Sequence, residues 1–87
     1  MQNYFLYILY SDSIDQYYIG ISHDPLMRLY YHNTSNKGWT QRGRPWKLVF
    51  NKEFQSKSDA QMWERKLKQI KKRSVIEMIL NDNFNWQ

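Results

Sequence analysis

Two side chains in this sequence have the types and the spacing that chemistry on a phosphate group requires. Arg28 and His32 are four residues apart, so on a helix they share one face. Arginine presents a planar fork of donors to a phosphate, and histidine titrates near neutral pH. The alternative is an ordinary exposed helix face, and the pair alone does not decide between the two. His23 has no comparable partner and is interpreted as a loop residue.

Glu64 is the acidic residue that could complete such a site. It lies beside an apolar stripe of a predicted helix, among many lysines and arginines. A carboxylate in that setting can simply balance charge through pairs four residues apart. It can also bind a hard cation, because Mg²⁺ often takes only one or two carboxylates together with water and substrate phosphates. Both interpretations stay open.

Tyr7 and Tyr18 are the remaining candidates, although the chain has seven tyrosines and most such residues are core aromatics. A tyrosine hydroxyl has a pKa of about 10 and is a poor base unless nearby cations lower it. Arg28 and a metal ion held by Glu64 could have that effect.

Two short β-type runs must position these tyrosines. Residues 3–10 are apolar on both faces, which predicts a covered, central strand. Residues 17–22 alternate between apolar side chains and small or polar ones, and Gly20 leaves room on the face of Tyr18. Strands joined by a short turn pair antiparallel, so Tyr7 and Tyr18 are expected to be neighbours at one end of a hairpin.

The helix that carries Arg28 and His32 begins at Asp24-Pro25, an N-cap acceptor followed by proline at the first helical position. Its apolar residues recur at intervals of three and four, which predicts a buried stripe at Leu26, Leu29 and Tyr30. Arg28 and His32 are then expected to lie well away from the buried face.

The second half of the chain begins with a basic loop over residues 33–45. Residues 46–54 are predicted to form the third strand, whose buried side carries Trp46, Leu48 and Phe50. A capping box at Ser58-x-x-Gln61 is expected to open the helix of Glu64, with a stripe of Ala60, Trp63, Leu67 and Ile70. A second capping box at Ser74-x-x-Glu77 predicts a break near Arg73 and a last helix with Val75, Ile76, Ile79 and Leu80 inward.

The predicted fold is therefore α+β, a three-stranded antiparallel sheet flanked by helices in the order β-β-α-β-α-α. Residues 1–87 are expected to form one domain. The absence of cysteine excludes disulfides and thiolate metal sites. No apolar run approaches the roughly 20 residues of a membrane span, and no signal peptide is expected, so the cytoplasm is the expected location. The net charge of +5 suits a polyanionic partner.

The spacing of these residues resembles the GIY-YIG endonuclease family, in particular its small single-domain bacterial branch. Tyr7 is followed eleven residues later by Tyr18-Ile19-Gly20, and Arg28 comes ten residues after Tyr18. Further matches are His32, Pro45-Trp46 before the third strand, and the Glu64-Arg65-Lys66-Leu67-Lys68 run. The resemblance covers nearly the whole chain. It departs from the family at Phe5-Leu6-Tyr7, where only the tyrosine of the first motif stands.

The resemblance implies hydrolysis of phosphodiester bonds with one Mg²⁺ or Mn²⁺ ion, held by Glu64. It implies Tyr7 or Tyr18 as general base or water-positioning group, Arg28 as the group that neutralises the transition state, and His32 as a proton relay or as the group that orients Tyr7. Some family members have a functional asparagine after the Glu helix. Asn81, Asn83 and Asn85 are available for that role, but no motif selects one of them.

Nucleic acid is the expected partner, with DNA favoured over RNA. Residues that could track phosphates or stack a base are Lys37, Trp39, Arg42, Arg44, Lys68, Lys71 and Lys72. Two other classes stay open. A non-catalytic module of the same fold would bind nucleic acid and leave it intact, and a small interaction protein would use its aromatic residues against a protein partner.

Overall fold

The structure of the chain, a computed structural model, describes residues 3–35, 38–70 and 72–86. Its elements, in chain order, are β1 (Tyr4–Ser11), β2 (Gln16–Ser22), α1 (Pro25–Thr34), a short 3-10 helix (Trp39–Gly43), β3 (Trp46–Phe54), α2 (Lys57–Ile70) and α3 (Arg73–Leu80). The predicted α+β fold and its order of strands and α-helices are confirmed. The 3-10 helix lies inside the segment that was predicted as a loop.

The sheet is built around β1, which pairs antiparallel with β2 on one side and with β3 on the other. Leu6, Ile8 and Leu9 are fully buried because both faces of β1 are covered. The prediction of a central strand is confirmed, and β2 and β3 are the two edges of the sheet.

The two faces of the sheet have different coverings. Successive side chains of a strand point to opposite faces, so Leu6 and Ile8 pack with Leu67 of α2 and with Ile79 of α3. On the other face, Tyr7 and Leu9 pack with Trp46 and with Leu29 of α1. Helix α1 therefore lies on one side of the sheet, and α2 and α3 lie on the other.

A β-bulge in the pairing of β1 with β3 overturns one prediction about β3. Ile8 pairs with Phe50, but the next residue, Leu9, pairs with Leu48, so Val49 is an extra residue. As a result, Leu48 packs on the α1 face while Phe50 packs on the α2 face. The prediction of one buried side shared by Trp46, Leu48 and Phe50 is wrong for this reason.

Helix α1 is turned differently from the prediction: Leu29 packs inward as expected, but the other two residues of the predicted stripe do not. Leu26 and Tyr30 are 68% and 66% exposed, whereas His32 is only 3% exposed. The predicted N-cap is confirmed, because the Asp24 side chain accepts a hydrogen bond from the backbone N–H of Met27. His32 can lie on the inward face because both of its ring nitrogens find partners inside the protein, which removes most of the cost of burying them.

Both predicted capping boxes are also wrong. Helix α2 begins at Lys57, and the cap is Ser56, whose hydroxyl accepts a hydrogen bond from the backbone N–H of Asp59. Helix α3 begins at Arg73, and Lys72 before it makes no side-chain cap. The Arg73 guanidinium instead forms a bidentate ion pair with the Asp15 carboxylate in the β1–β2 turn, with N–O distances of 2.6 and 3.2 Å. A contact across the fold, and not a local cap, marks the start of α3.

The inward residues of α2 and α3 largely follow the prediction. Ala60, Leu67 and Ile79 are buried, while Ile70, at the last position of α2, is 42% exposed. After α3 the chain returns across this face, where Trp86 stacks on Phe50 and meets the aromatic rings of Phe54, Trp63 and Phe84. Within the described ranges no helix has the length and apolar character to cross a membrane.

Candidate active site

The Tyr7 side chain occupies space that only a glycine on the neighbouring strand leaves open. Tyr7 of β1 pairs directly with Gly20 of β2. A Cβ atom at position 20 would lie 2.5 Å from the Tyr7 hydroxyl oxygen and 2.6 Å from its Cζ. The Tyr7 ring therefore crosses the backbone of β2 at Gly20 and directs its hydroxyl toward the outer edge of that strand.

Tyr18 lies on the same face of β2 as Gly20 and next to Tyr7. The ring centroids of Tyr7 and Tyr18 are 6.3 Å apart, as the predicted hairpin requires. The Tyr18 ring also lies 4.6 Å from the ring of His32. Two strands and helix α1 thus bring Tyr7, Tyr18 and His32 into one cluster.

His32 is held from both sides. Its Nε2 lies 3.3 Å from the Tyr7 hydroxyl, and its Nδ1 lies 3.3 Å from the hydroxyl of Thr40 in the 3-10 helix. Burial and the positive charge of Arg28 lower the pKa of His32 below its ordinary value of 6.5. The imidazole is therefore neutral at neutral pH and can accept a proton.

Arg28 lies one helical turn before His32 and approaches Tyr7. Burial raises the pKa of the Tyr7 hydroxyl above its ordinary value of 10.0, and a hydrogen bond from Arg28 offsets this only in part. The same hydrogen bond raises the pKa of Arg28, which stays charged. In the protein by itself, therefore, Arg28 does not bring the pKa of Tyr7 below its ordinary value, because desolvation of the phenolate outweighs the arginine. The expectation that Arg28 and a metal ion together lower this pKa stays a prediction.

Tyr31 is a neighbour of this cluster that the sequence analysis did not single out. The Arg28 guanidinium lies 4.8 Å from the centre of the Tyr31 ring, and that ring lies 5.8 Å from His32. Tyr31 is 43% exposed, so it forms part of the rim of the cleft. The spacing of Arg28 and Tyr31, three residues apart on one helix, was the available signal.

Glu64 reaches the cluster from the opposite face of the sheet, through its neighbour Lys68. The Lys68 ammonium lies 3.2 Å from the Glu64 carboxylate and 5.7 Å from the centre of the Tyr18 ring. Tyr18, on an edge strand, therefore contacts α1 through His32 and α2 through Lys68. The negative charge of Glu64 is also one of the smaller influences that raise the pKa of Tyr7.

The residues around Glu64 limit the kind of metal site that this cleft can form. The described part of the chain contains no group of three or more His, Cys, Asp or Glu side chains placed to bind one ion. A lone carboxylate does not hold a resident metal tightly. It does fit a Mg²⁺ ion that keeps several waters and is completed by a substrate phosphate.

The basic residues proposed for substrate contact have different surroundings. Arg42 is exposed, whereas Arg44 donates to the backbone carbonyls of Gln41 and Asn33 at 3.2 and 3.4 Å. Arg44 therefore holds the 3-10 segment against the end of α1. Lys37, Lys71 and the side chain of Trp39 lie outside what the structure describes.

A groove of about 580 Å³ leads away from the cleft, between the edge of β2 and the α2–α3 corner. Tyr18 and Lys68 line the end that the groove shares with the cleft, and Lys72 and Arg73 line it farther along. The charge of Arg73 is already balanced by its ion pair with Asp15. Lys72 therefore supplies the additional positive charge in this groove.

Comparison with known proteins identifies the family to which this chain belongs. The model of the GIY-YIG catalytic domain matches residues 3–77. The fold is similar to the solution NMR structure of a UPF0213 protein from Bacillus halodurans, with a TM-score of 0.56 and 29% sequence identity. That match covers 88% of this chain and 82% of the other. No curated protein matches the sequence. The chain belongs to the GIY-YIG family, a family of endonucleases that act on nucleic acid.

Proposed function

We propose that this protein is a metal-dependent endonuclease that hydrolyses DNA phosphodiester bonds at the cleft of Tyr7, Tyr18, Arg28, His32 and Glu64. The observation that carries the proposal is the pairing of a buried tyrosine with a buried histidine, Tyr7 and His32, at 3.3 Å. Two titratable groups buried together and opening onto a cationic cleft suit proton transfer from a water molecule.

Tyr7 and His32 would act together on the attacking water. Because burial keeps Tyr7 protonated, Tyr7 can accept a proton from water only if it gives its own proton away. The neutral His32, whose Nε2 faces the Tyr7 hydroxyl, is the acceptor. The water oxygen then bonds to phosphorus, the bond to the leaving oxygen breaks, and that oxygen takes a proton from solvent.

The charge that develops on the phosphate would be neutralised mainly by Arg28. Arg28 is charged, partly buried and held between Tyr7 and Tyr31, so its guanidinium is oriented before the substrate arrives. Tyr18 would hold the water or a phosphate oxygen, and Lys68 beside it would add a positive charge. Glu64 would bind Mg²⁺ or Mn²⁺, which when bound acts as a Lewis acid on the phosphate.

Arg42, Lys68 and Lys72 would hold the DNA backbone around the cleft, together with the predicted contacts at Lys37, Trp39, Arg44 and Lys71. Contacts to phosphates carry no information about the base sequence, so we propose that the protein has only a weak preference for particular DNA sequences. A preference for branched DNA over a continuous duplex would have to come from the shape of the cleft, and cleavage of matched branched and linear substrates measures it.

A second candidate function is binding without catalysis. The ion pair of Glu64 with Lys68, at 3.2 Å, favours it, because this carboxylate already has a partner. In that case the lysine balances the charge of Glu64, and the basic surface binds nucleic acid without cutting it.

Nicking of supercoiled plasmid and of a panel of branched DNA, with Mg²⁺ or Mn²⁺, separates the two functions. We expect metal-dependent cuts by the native protein and their loss in Glu64→Gln, which removes the negative charge and little volume. Glu77→Gln, at an exposed position on α3, is the matched control and is expected to cut normally. Cleavage of an RNA of the same sequence tests the preference for DNA.

The other outcomes are equally informative. Intact substrate with every variant, together with normal DNA binding, would support the non-catalytic module. Equal cutting by the native protein and by Glu64→Gln would rule out Glu64 as the metal ligand.

A further inference from the structure

Thr40 forms a hydrogen bond to His32 on the side away from Tyr7. Its hydroxyl lies 3.3 Å from His32 Nδ1, and it is only 7% exposed. No motif in the sequence points to Thr40. It nevertheless occupies the position from which a residue can determine which nitrogen of the histidine carries the proton.

The backbone around Thr40 is fixed to the sheet. The indole Nε1–H of Trp46, a residue of β3 that is 3% exposed, donates to the Thr40 carbonyl at 2.6 Å. Gly43 makes this approach possible, because a Cβ atom at position 43 would lie 2.5 Å from Cζ2 of the Trp46 ring. The Thr40 hydroxyl is therefore presented to His32 from a fixed position.

The direction of each hydrogen bond follows from the donors and acceptors around Tyr7. Tyr7 is 1% exposed, and its hydroxyl is hydrogen-bonded to His32 and to Arg28, which can only donate. Because Arg28 donates to the Tyr7 oxygen, we assign the proton of the Tyr7 hydroxyl to the contact with His32 Nε2. A neutral histidine with an unprotonated Nε2 carries its proton on Nδ1, so Nδ1–H donates to Thr40.

We propose that Thr40 is a positioning residue, which holds His32 in the Nδ1–H tautomer and so keeps Nε2 ready to receive the Tyr7 proton. Its effect on cleavage rests on the proposed function, whereas the tautomer assignment stands on the geometry alone. In the step itself, a water proton passes to the Tyr7 oxygen and the Tyr7 proton passes to Nε2. The resulting imidazolium keeps its Nδ1–H on Thr40, so the ring does not need to turn.

The test compares three threonine variants by ¹⁵N NMR of the His32 ring and by plasmid nicking at pH 7.5. Thr40→Val keeps the side-chain shape and removes the acceptor, while Thr40→Ser restores a hydroxyl. Thr34→Val is the matched control, since that hydroxyl bonds the Tyr30 carbonyl on the same helix as His32. Thermal unfolding of each variant verifies that it is folded.

We expect the Nδ1–H pattern of ring shifts in the native protein, in Thr40→Ser and in Thr34→Val. In Thr40→Val the Nδ1–H loses its acceptor, so we expect the Nε2–H tautomer to be populated and nicking to fall roughly tenfold, by analogy with the loss when the hydrogen-bond partner of a metal-bound histidine is removed. Thr40→Ser is expected to restore most of the rate.

An Nε2–H tautomer in the native protein would overturn the proposal, and so would identical ring shifts in the native protein and in Thr40→Val. If Thr40→Val does not fold, the ring shifts of the native protein and of Thr40→Ser still test the proposal, because both are expected to show the Nδ1–H tautomer. If the shifts follow the expectation but no variant cuts DNA, the role of Thr40 stands and the proposed nuclease function fails.

Discussion

Gly20 shows how a single residue makes the cleft possible. The Tyr7 ring lies against the backbone of β2 at the one position where the strand has no side chain. Glycine in a strand ordinarily weakens it, because it adds backbone entropy to the unfolded chain and packs nothing. At position 20 the absence of a side chain leaves room for the Tyr7 ring, whose hydroxyl then reaches His32. That contact offsets the cost of the glycine.

We expect Gly20→Ala to destabilise the protein by about 1–3 kcal/mol, the usual cost of forcing an extra carbon into a packed core. The added Cβ must displace the Tyr7 ring, so nicking should be lost as well. Urea unfolding measures the first effect, and plasmid nicking the second.

The double variant Gly20→Ala with Tyr7→Leu is the control for this mechanism, because the shorter side chain no longer crosses position 20. Its loss of stability should be smaller than the sum of the two single losses. Simple additivity would show that the cost of Gly20→Ala has another origin.

Helix α1 shows that an element can be predicted correctly while its orientation is not. Its start at Asp24 agrees with the sequence, yet Leu26 and Tyr30 of its predicted stripe face outward, and its histidine faces inward beside Leu29. An i, i+3, i+4 pattern identifies residues that share a face. It does not state which face packs when the sheet beneath carries its own polar groups, here the hydroxyl of Tyr7.

The orientation of α1 predicts opposite responses to the same substitution at two leucines. Leu26→Gln should change the free energy of unfolding by less than about 0.5 kcal/mol, because Leu26 is 68% exposed. Leu29→Gln should cost about 1–3 kcal/mol, because Leu29 packs with Tyr7, Leu9 and Trp46. Urea unfolding of both variants checks this, and equal costs would contradict the inward orientation of Leu29.

At the scale of the whole molecule, the larger apolar cluster and the buried polar cluster lie on opposite faces of one small sheet. The α2–α3 face holds Leu6, Ile8, Leu67 and Ile79 under a cover of aromatic rings that ends in Trp86. The α1 face carries the polar cluster. The two faces meet beyond the edge of β2, where Tyr18 contacts α1 and α2, and where the groove lined by Lys72 begins.

The position of Lys72 in that groove predicts a salt effect. We expect Lys72→Ala to lower the slope of log K against log salt for DNA binding by about 1, because one phosphate contact releases about one counterion. Lys47→Ala is the matched control, since the Lys47 ammonium is paired with Asp12 at 2.9 Å on another part of the surface. Fluorescence anisotropy with a labelled duplex at several salt concentrations measures both slopes. Equal slopes for Lys72→Ala and the native protein would place the DNA away from this groove.

Much of this protein could be predicted from local patterns in the sequence. Alternation identified the strands, Asp24-Pro25 identified the start of α1, and the spacing of the tyrosines with Arg28 and Glu64 indicated the family. These features depend on neighbours in the chain or on motifs of fixed spacing, so the residue order alone contains them. The roles of the site residues, the metal ion and the extent of the domain stay predictions.

Only the tertiary structure decided what depends on contacts between distant segments. The bulge at Val49 depends on how β3 is paired with β1, and the start of α3 is marked by Arg73 on Asp15. Likewise, Thr40 becomes part of the cleft because Trp46 holds its backbone beside His32. Sequence periodicity identifies which side chains share a face. Which face is buried depends on whether its polar atoms find partners across the fold, and those partners exist only once the chain has folded.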